Sequence, residues 1–122
     1  MNPMETHGAV SWVEHSGPDA DKARSFYQDV LDWTVADTEM EQGTYAAIMI
    51  EEKPVGGFAP MPGNDGWKLY ITVDDVDARV AKAETAGASV VAKPMTVSGV
   101  GRMATIEDPF GARLTLIDYS KA

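Results

Sequence analysis

A chain of 122 residues, 44% hydrophobic and 24% charged, is long enough to bury one core and ordinary for a globular protein. Nineteen acidic against ten basic residues leave a net charge of −9, which argues against nucleic acid or an anionic membrane surface as partner, since both call for a basic footprint. The absence of cysteine excludes disulfides, thiolate metal sites and cysteine nucleophiles. The opening residues Met1 to Gly8 have neither the basic nor the apolar region of a signal peptide, and no apolar run is long enough to cross a bilayer, so a cytoplasmic protein is expected.

Val10, Trp12 and Val13 lie in a short apolar segment, Ala9 to His15, that ends at Ser16-Gly17-Pro18 and reads as a strand. Asp19 then suits the N-cap of a helix to Leu31, where Ala20, Ala23, Phe26, Tyr27, Val30 and Leu31 recur at helical spacing. Strands are expected over Trp33 to Asp37, Thr44 to Ile50 and Pro54 to Ala59, with polar turns at Glu41-Gln42-Gly43 and Glu51-Glu52-Lys53. The stretch Pro60 to Gly66 reads as a linker.

The same order then returns. Trp67 to Val73 alternates, with Leu69, Ile71 and Val73 on one face and Lys68, Tyr70 and Thr72 on the other. Asp74 or Asp75 caps a helix that runs to about Ala86, with Val76, Val80 and Ala83 in a stripe and Gly87 just past its end. Strands follow at Ser89 to Ala92, Arg102 to Ile106 and Arg113 to Tyr119. Asp108-Pro109-Phe110-Gly111 has the residues of a type I turn. The Gly-rich pieces Val55-Gly56-Gly57 and Gly99-Val100-Gly101 lack any phosphate-loop pattern and suggest tight turns or bulges. The chain therefore repeats strand, helix, three strands, with Trp12 aligning with Lys68 and Asp19 with Asp75.

Asp19, Phe26-Tyr27 and Val30-Leu31-Asp32-Trp33 together resemble the first helix of vicinal oxygen chelate proteins, the superfamily of glyoxalases, bleomycin-resistance proteins and extradiol dioxygenases. Val73-Asp74-Asp75-Val76-Asp77 with Ala86-Gly87-Ala88 resembles the second helix, and Asp108-Pro109-Phe110-Gly111 before Leu114-Thr115-Leu116 resembles the turn into the last strand. Asp32 stands where the family usually has Gly, and Asp tolerates a left-handed backbone better than most residues. The resemblance covers Ala9 to Tyr119. It implies an α+β fold of two tandem βαβββ modules, residues 8–60 and 66–120 of one domain, whose curved mixed sheet surrounds a cavity with the helices outside.

Metal-dependent members of the family place His, Glu or Gln at four strand positions. The resemblance puts Trp12, Gly57, Lys68 and Thr115 there, a set with almost no donor for a divalent ion. No metal and no cofactor are therefore expected. His7 and His15 read as surface or structural residues. The ligand-facing candidates are Trp12, Glu14, Lys68, Tyr70, Arg113 and Thr115, with Trp12 and Tyr70 as a platform for a flat ligand. Glu14 as general base and Lys68 as electrostatic stabiliser are the catalytic candidates; the plain alternative is that the two pair with each other. Arg113 suits a carboxylate clamp or a solvated charge. The expected function is metal-free binding of a small organic molecule. The alternative is a lyase or isomerase acting on a small carbonyl or glutathione-type substrate through Glu14 and Lys68. A homodimer is expected, because unpaired sheet edges are usually covered and two-fold dimers are the commonest assemblies.

Overall fold

In the computed structural model, which describes residues 1–122, the elements run β1 (Val10–Ser16), α1 (Ala20–Leu31), β2 (Thr34–Met40), β3 (Gly43–Ile50), β4 (Lys53–Phe58), β5 (Gly66–Thr72), α2 (Val76–Thr85), β6 (Ser89–Val97), β7 (Gly101–Glu107) and β8 (Arg113–Asp118). The expected α+β class and the twofold βαβββ order are both present. No helix is long and apolar enough to cross a membrane. The chain divides into two compact units, residues 12–68 and residues 1–11 with 69–122.

In the unit of residues 12–68 the strand order is β2-β3-β4-β1, with β1 parallel to β4 and the other pairs antiparallel. Asp19 caps α1, its carboxylate accepting from the Lys22 amide at 3.0 Å. Asp32 ends the helix at φ 56°, the left-handed conformation that Asp was expected to tolerate there. A ring cluster sits beside α1: His15 lies 5.8 Å from Tyr27, 5.7 Å from Phe58 and 5.1 Å from Trp67. The apolar residues that recur at helical spacing along α1 do not all pack inward. No residue of α1 is buried, and Phe26, Val30 and Leu31 are exposed.

In the other unit the order is β5-β8-β7-β6, with β5 parallel to β8. Val76 and Val80 of α2 pack on Val73, Ala104 and Leu116, with Ile71, Val90, Ile106 and Leu114 around them. Each buried valine contributes roughly 1.5 kcal/mol or more. Ile71, Val73, Leu114 and Leu116 thus pack with α2, whereas Leu69, on the same face of β5, is 43% exposed. Of the two candidate caps for α2, Asp75 fills the position, accepting from the Ala78 amide at 3.0 Å. Asp74 instead holds Arg79 through two contacts of 2.9 Å.

Strand β6 runs five residues past its expected end at Ala92, through Pro94 to Val97. Pro94 has no N–H to donate to a ladder. It is accommodated because β6 is at the sheet edge and its pairing with β7 slips between Ala92 and Met95, the two settings in which strands take proline. The 1–11 segment belongs to this unit: the Gly8 amide donates to the Thr72 carbonyl at 2.7 Å, and the Thr72 amide to that of Ala9 at 2.9 Å. His7 Nδ1 accepts from the Asp74 amide at 3.0 Å, a structural role.

Candidate functional site

Trp12 and Glu14 are two residues apart on β1 and share a face. Glu14 is opposite Gly57 of β4, and Gly57 is opposite Ala47 of β3, so Tyr45, two before Ala47, also looks onto that face. The side chains form a continuous polar chain. The Trp12 indole donates to the Tyr45 hydroxyl at 3.2 Å, and that hydroxyl donates to Glu14 Oε2 at 2.8 Å. The Lys68 ammonium stands 3.6 Å from Glu14 Oε1. Trp12 and Tyr45 also contact through their rings, with centroids 6.2 Å apart.

The electrostatics follow from this order. Both oxygens of Glu14 have a positive or donating neighbour, which fixes the orientation of its carboxyl group. Its side chain is only 15% exposed, whereas that of Lys68 is 32% exposed. At 3.6 Å the ammonium is beyond ordinary hydrogen-bond distance, so the pair is an ion pair of loose geometry in which Lys68 retains donor capacity for a second acceptor. The pairing of Lys68 with Glu14, one of the two sequence readings, is the one observed.

Tyr45 escaped the sequence reading. It occupies the space that a side chain at Gly57 would need: a Cβ built there would run into the Tyr45 ring edge and hydroxyl. Gly57 therefore lies in a strand as a point of close approach; of the tight turn or bulge suggested by the glycine pair, it is an irregularity of the ladder that is found, beside Gly56, where the β3–β4 register shifts. Gly99, by contrast, lies in the β6–β7 turn and Gly101 opens β7 just after it, with φ of 79° and 152°.

The remaining candidates lie in the other unit. Tyr70 is 8% exposed on β5, opposite Thr115 of β8. The Thr115 hydroxyl pairs with that of Thr105 at 2.8 Å. Arg113 is drawn to Glu107 at 3.0 Å on the surface, which ties it to its own hairpin.

The chemistry of the donors does not fit a divalent ion at the four positions named from the sequence. The Trp12 nitrogen is a donor already directed at Tyr45, Gly57 has no side chain and no room for one, Lys68 is cationic beside Glu14, and the Thr115 hydroxyl is shared with Thr105. No group of three or more His, Asp or Glu side chains stands close enough to hold a metal.

Residues 12–117 match the glyoxalase-like domain family. CFP32 of Mycobacterium tuberculosis, named as a candidate glyoxylase, is 37% identical over 114 residues, which cover 90% of this chain and 44% of that protein. The anthracycline biosynthesis protein DnrV of Streptomyces peucetius is 33% identical over 123 residues, covering 86% and 45%. The chain thus spans less than half the length of these curated relatives. Among solved structures, methylmalonyl-CoA epimerase of Streptomyces coelicolor superposes with a TM-score of 0.63 at 18% identity, covering 92% of this chain and 97% of that one. At that identity the likeness is one of fold.

Proposed function

The chain belongs to the glyoxalase-like family of the vicinal oxygen chelate superfamily, and from that premise we propose that it binds a small organic molecule without a metal, on the face formed by Trp12, Glu14, Tyr45 and Lys68. The observation that carries this reading is the polar chain itself. Its indole, phenol, carboxylate and ammonium groups share one face, the face to which the family resemblance assigns part of the ligand set of metal-dependent members. Trp12 supplies a flat apolar surface, and the partly exposed Lys68 supplies a cation with donors to spare.

The chemistry points to a planar ligand with a carboxylate or carbonyl oxygen that reaches Lys68. The kinship to a protein named for anthracycline biosynthesis agrees with an organic ligand of that flat kind. Binding is favoured over catalysis because Glu14, the candidate base, is already engaged at both oxygens. A base works best with a lone pair aimed at the proton it removes.

Native mass spectrometry of the purified chain identifies what it carries, and the recovered molecule is then titrated against variants. Lys68→Met and Trp12→Ala should each weaken binding by about ten- to a hundredfold, the loss expected for a charge-assisted hydrogen bond or a stacked ring. Unchanged affinity in both folded variants would move the ligand elsewhere. Turnover of the recovered molecule that vanishes in Glu14→Gln would replace binding with catalysis.

A further inference from the structure

Helix α1 carries a face that its own unit leaves bare. Phe26 and Val30 are 58% and 55% exposed. Successive helical residues turn by about 100°, so Lys22, Phe26, Asp29 and Val30 line one face, and all four are exposed. Neither Lys22 nor Asp29 forms an ion pair within the chain. Phe26 is not a loose side chain. Its ring lies 5.0 Å from that of Tyr27, which lies 5.3 Å from Trp67 and 6.3 Å from the buried Phe58. Phe26 is therefore the outer end of a ring stack anchored in the unit's interior, and a contact made through it loses little further side-chain freedom.

We propose that this face binds a second copy of the chain about a two-fold axis, with the two α1 helices antiparallel. An antiparallel contact centred on Phe26 sets the two phenyl rings against each other. Lys22, one turn before Phe26, then falls opposite the Asp29 and Val30 turn of the other copy, and symmetry repeats the match at the far end. The face is self-complementary: an apolar centre flanked on each side by an ammonium and a carboxylate of opposite copies. Exposed aromatic rings with a charged rim are the composition of protein interfaces.

Light scattering coupled to size exclusion on the full chain at micromolar concentration should return twice the chain mass of 13.1 kDa. Phe26→Glu should weaken the dimer by a hundredfold or more and yield the monomer. Lys22→Glu and Asp29→Lys should each weaken it roughly tenfold, because each sets like charges against one another. The double exchange, Lys22→Glu with Asp29→Lys, should return the wild-type mass, since it restores the pairing with signs reversed. Phe110→Glu, at a ring 91% exposed on the β7–β8 turn, should leave the mass unchanged. These side chains are all exposed, and circular dichroism checks that each variant folds. A wild-type monomer throughout would overturn the proposal and assign the face to a different protein. A dimer that survives Phe26→Glu, or a double exchange that restores nothing, would place the contact on another surface.

Discussion

Tyr45 and Gly57 behave as one unit of structure, since the ring of the first fills the volume a side chain on the second would need. Gly57→Ala should therefore cost about 1–3 kcal/mol, the usual range for forcing a methyl into filled space. It should also pull the Tyr45 hydroxyl away from Glu14. In a Tyr45→Ala background the same substitution should cost almost nothing, because the obstruction is gone; thermal unfolding of the four proteins in the cycle measures the coupling. Equal costs in both backgrounds would mean that the strand, not the ring, resists the methyl. His15 is the other residue whose surroundings matter. Its Nδ1 is buried without a hydrogen-bond partner among rings, so this histidine contributes shape and stacking to the unit.

At the scale of elements, the β3–β4 hairpin carries an avoidable strain. Glu51 and Glu52 form its two-residue turn with φ of 49° and 67°, the pattern of a type I′ turn, for which Asn-Gly is the preferred pair. A left-handed residue with a Cβ costs roughly 1 kcal/mol or more. Glu51→Asn with Glu52→Gly should thus raise stability by about 1 kcal/mol and lift the thermal midpoint by several degrees, as read by calorimetry. Each helix depends on an aspartate cap in the same concrete way. Asp19→Ala and Asp75→Ala should each lower stability by about 1 kcal/mol, whereas Asp75→Asn, which can still accept from the Ala78 amide, should lose much less.

For the whole molecule, acid is the informative stress. The side-chain hydrogen bond from Arg79 lowers the pKa of Asp74 from 3.8 to about 2, and that from Arg102 lowers the pKa of Asp77. A carboxylate whose folded pKa is depressed stabilises the fold above its unfolded pKa and loses that contribution as pH falls through the folded value. The contribution of Asp74 is thus fully present above pH 3.8 and lost on the way down to about pH 2. Denaturant melts of the wild type and of Asp74→Asn should differ at neutral pH and converge at the acid end of that window. A gap that stays constant with pH would show that the charge is not what the Asn removes. Elemental analysis is the second test at this scale: protein purified without chelators should carry no stoichiometric transition metal, and one ion per chain would overturn the reading of the four strand positions.

The sequence by itself determined the order of the elements, the Asp19 cap, the Asp108–Gly111 turn and the family, and it narrowed the second cap to Asp74 or Asp75, because all of these rest on local chemistry. Asp19 and Asp75 cap through amides three residues away, and alternation on β5 and β8 is a property of a few neighbouring side chains. The ion pair between Glu14 and Lys68 was also among the readings that the sequence left open for these residues. Only the tertiary structure decided the role of Tyr45. Counting back from the Ile50↔Lys53 pair would set Ala46 opposite Gly57 and turn Tyr45 to the far side of the sheet. The irregularity between Ile48 and Met49 shifts the register by one, so that Ala47 meets Gly57 and Tyr45 looks onto Glu14. A one-residue slip exchanges the two faces of a strand, and a bulge is not written in the residues on either side of it. The bare face of α1 was hidden for a related reason. Helical spacing grouped Phe26 and Val30 with Tyr27, but how far the sheet reaches around a helix is settled by packing at long range.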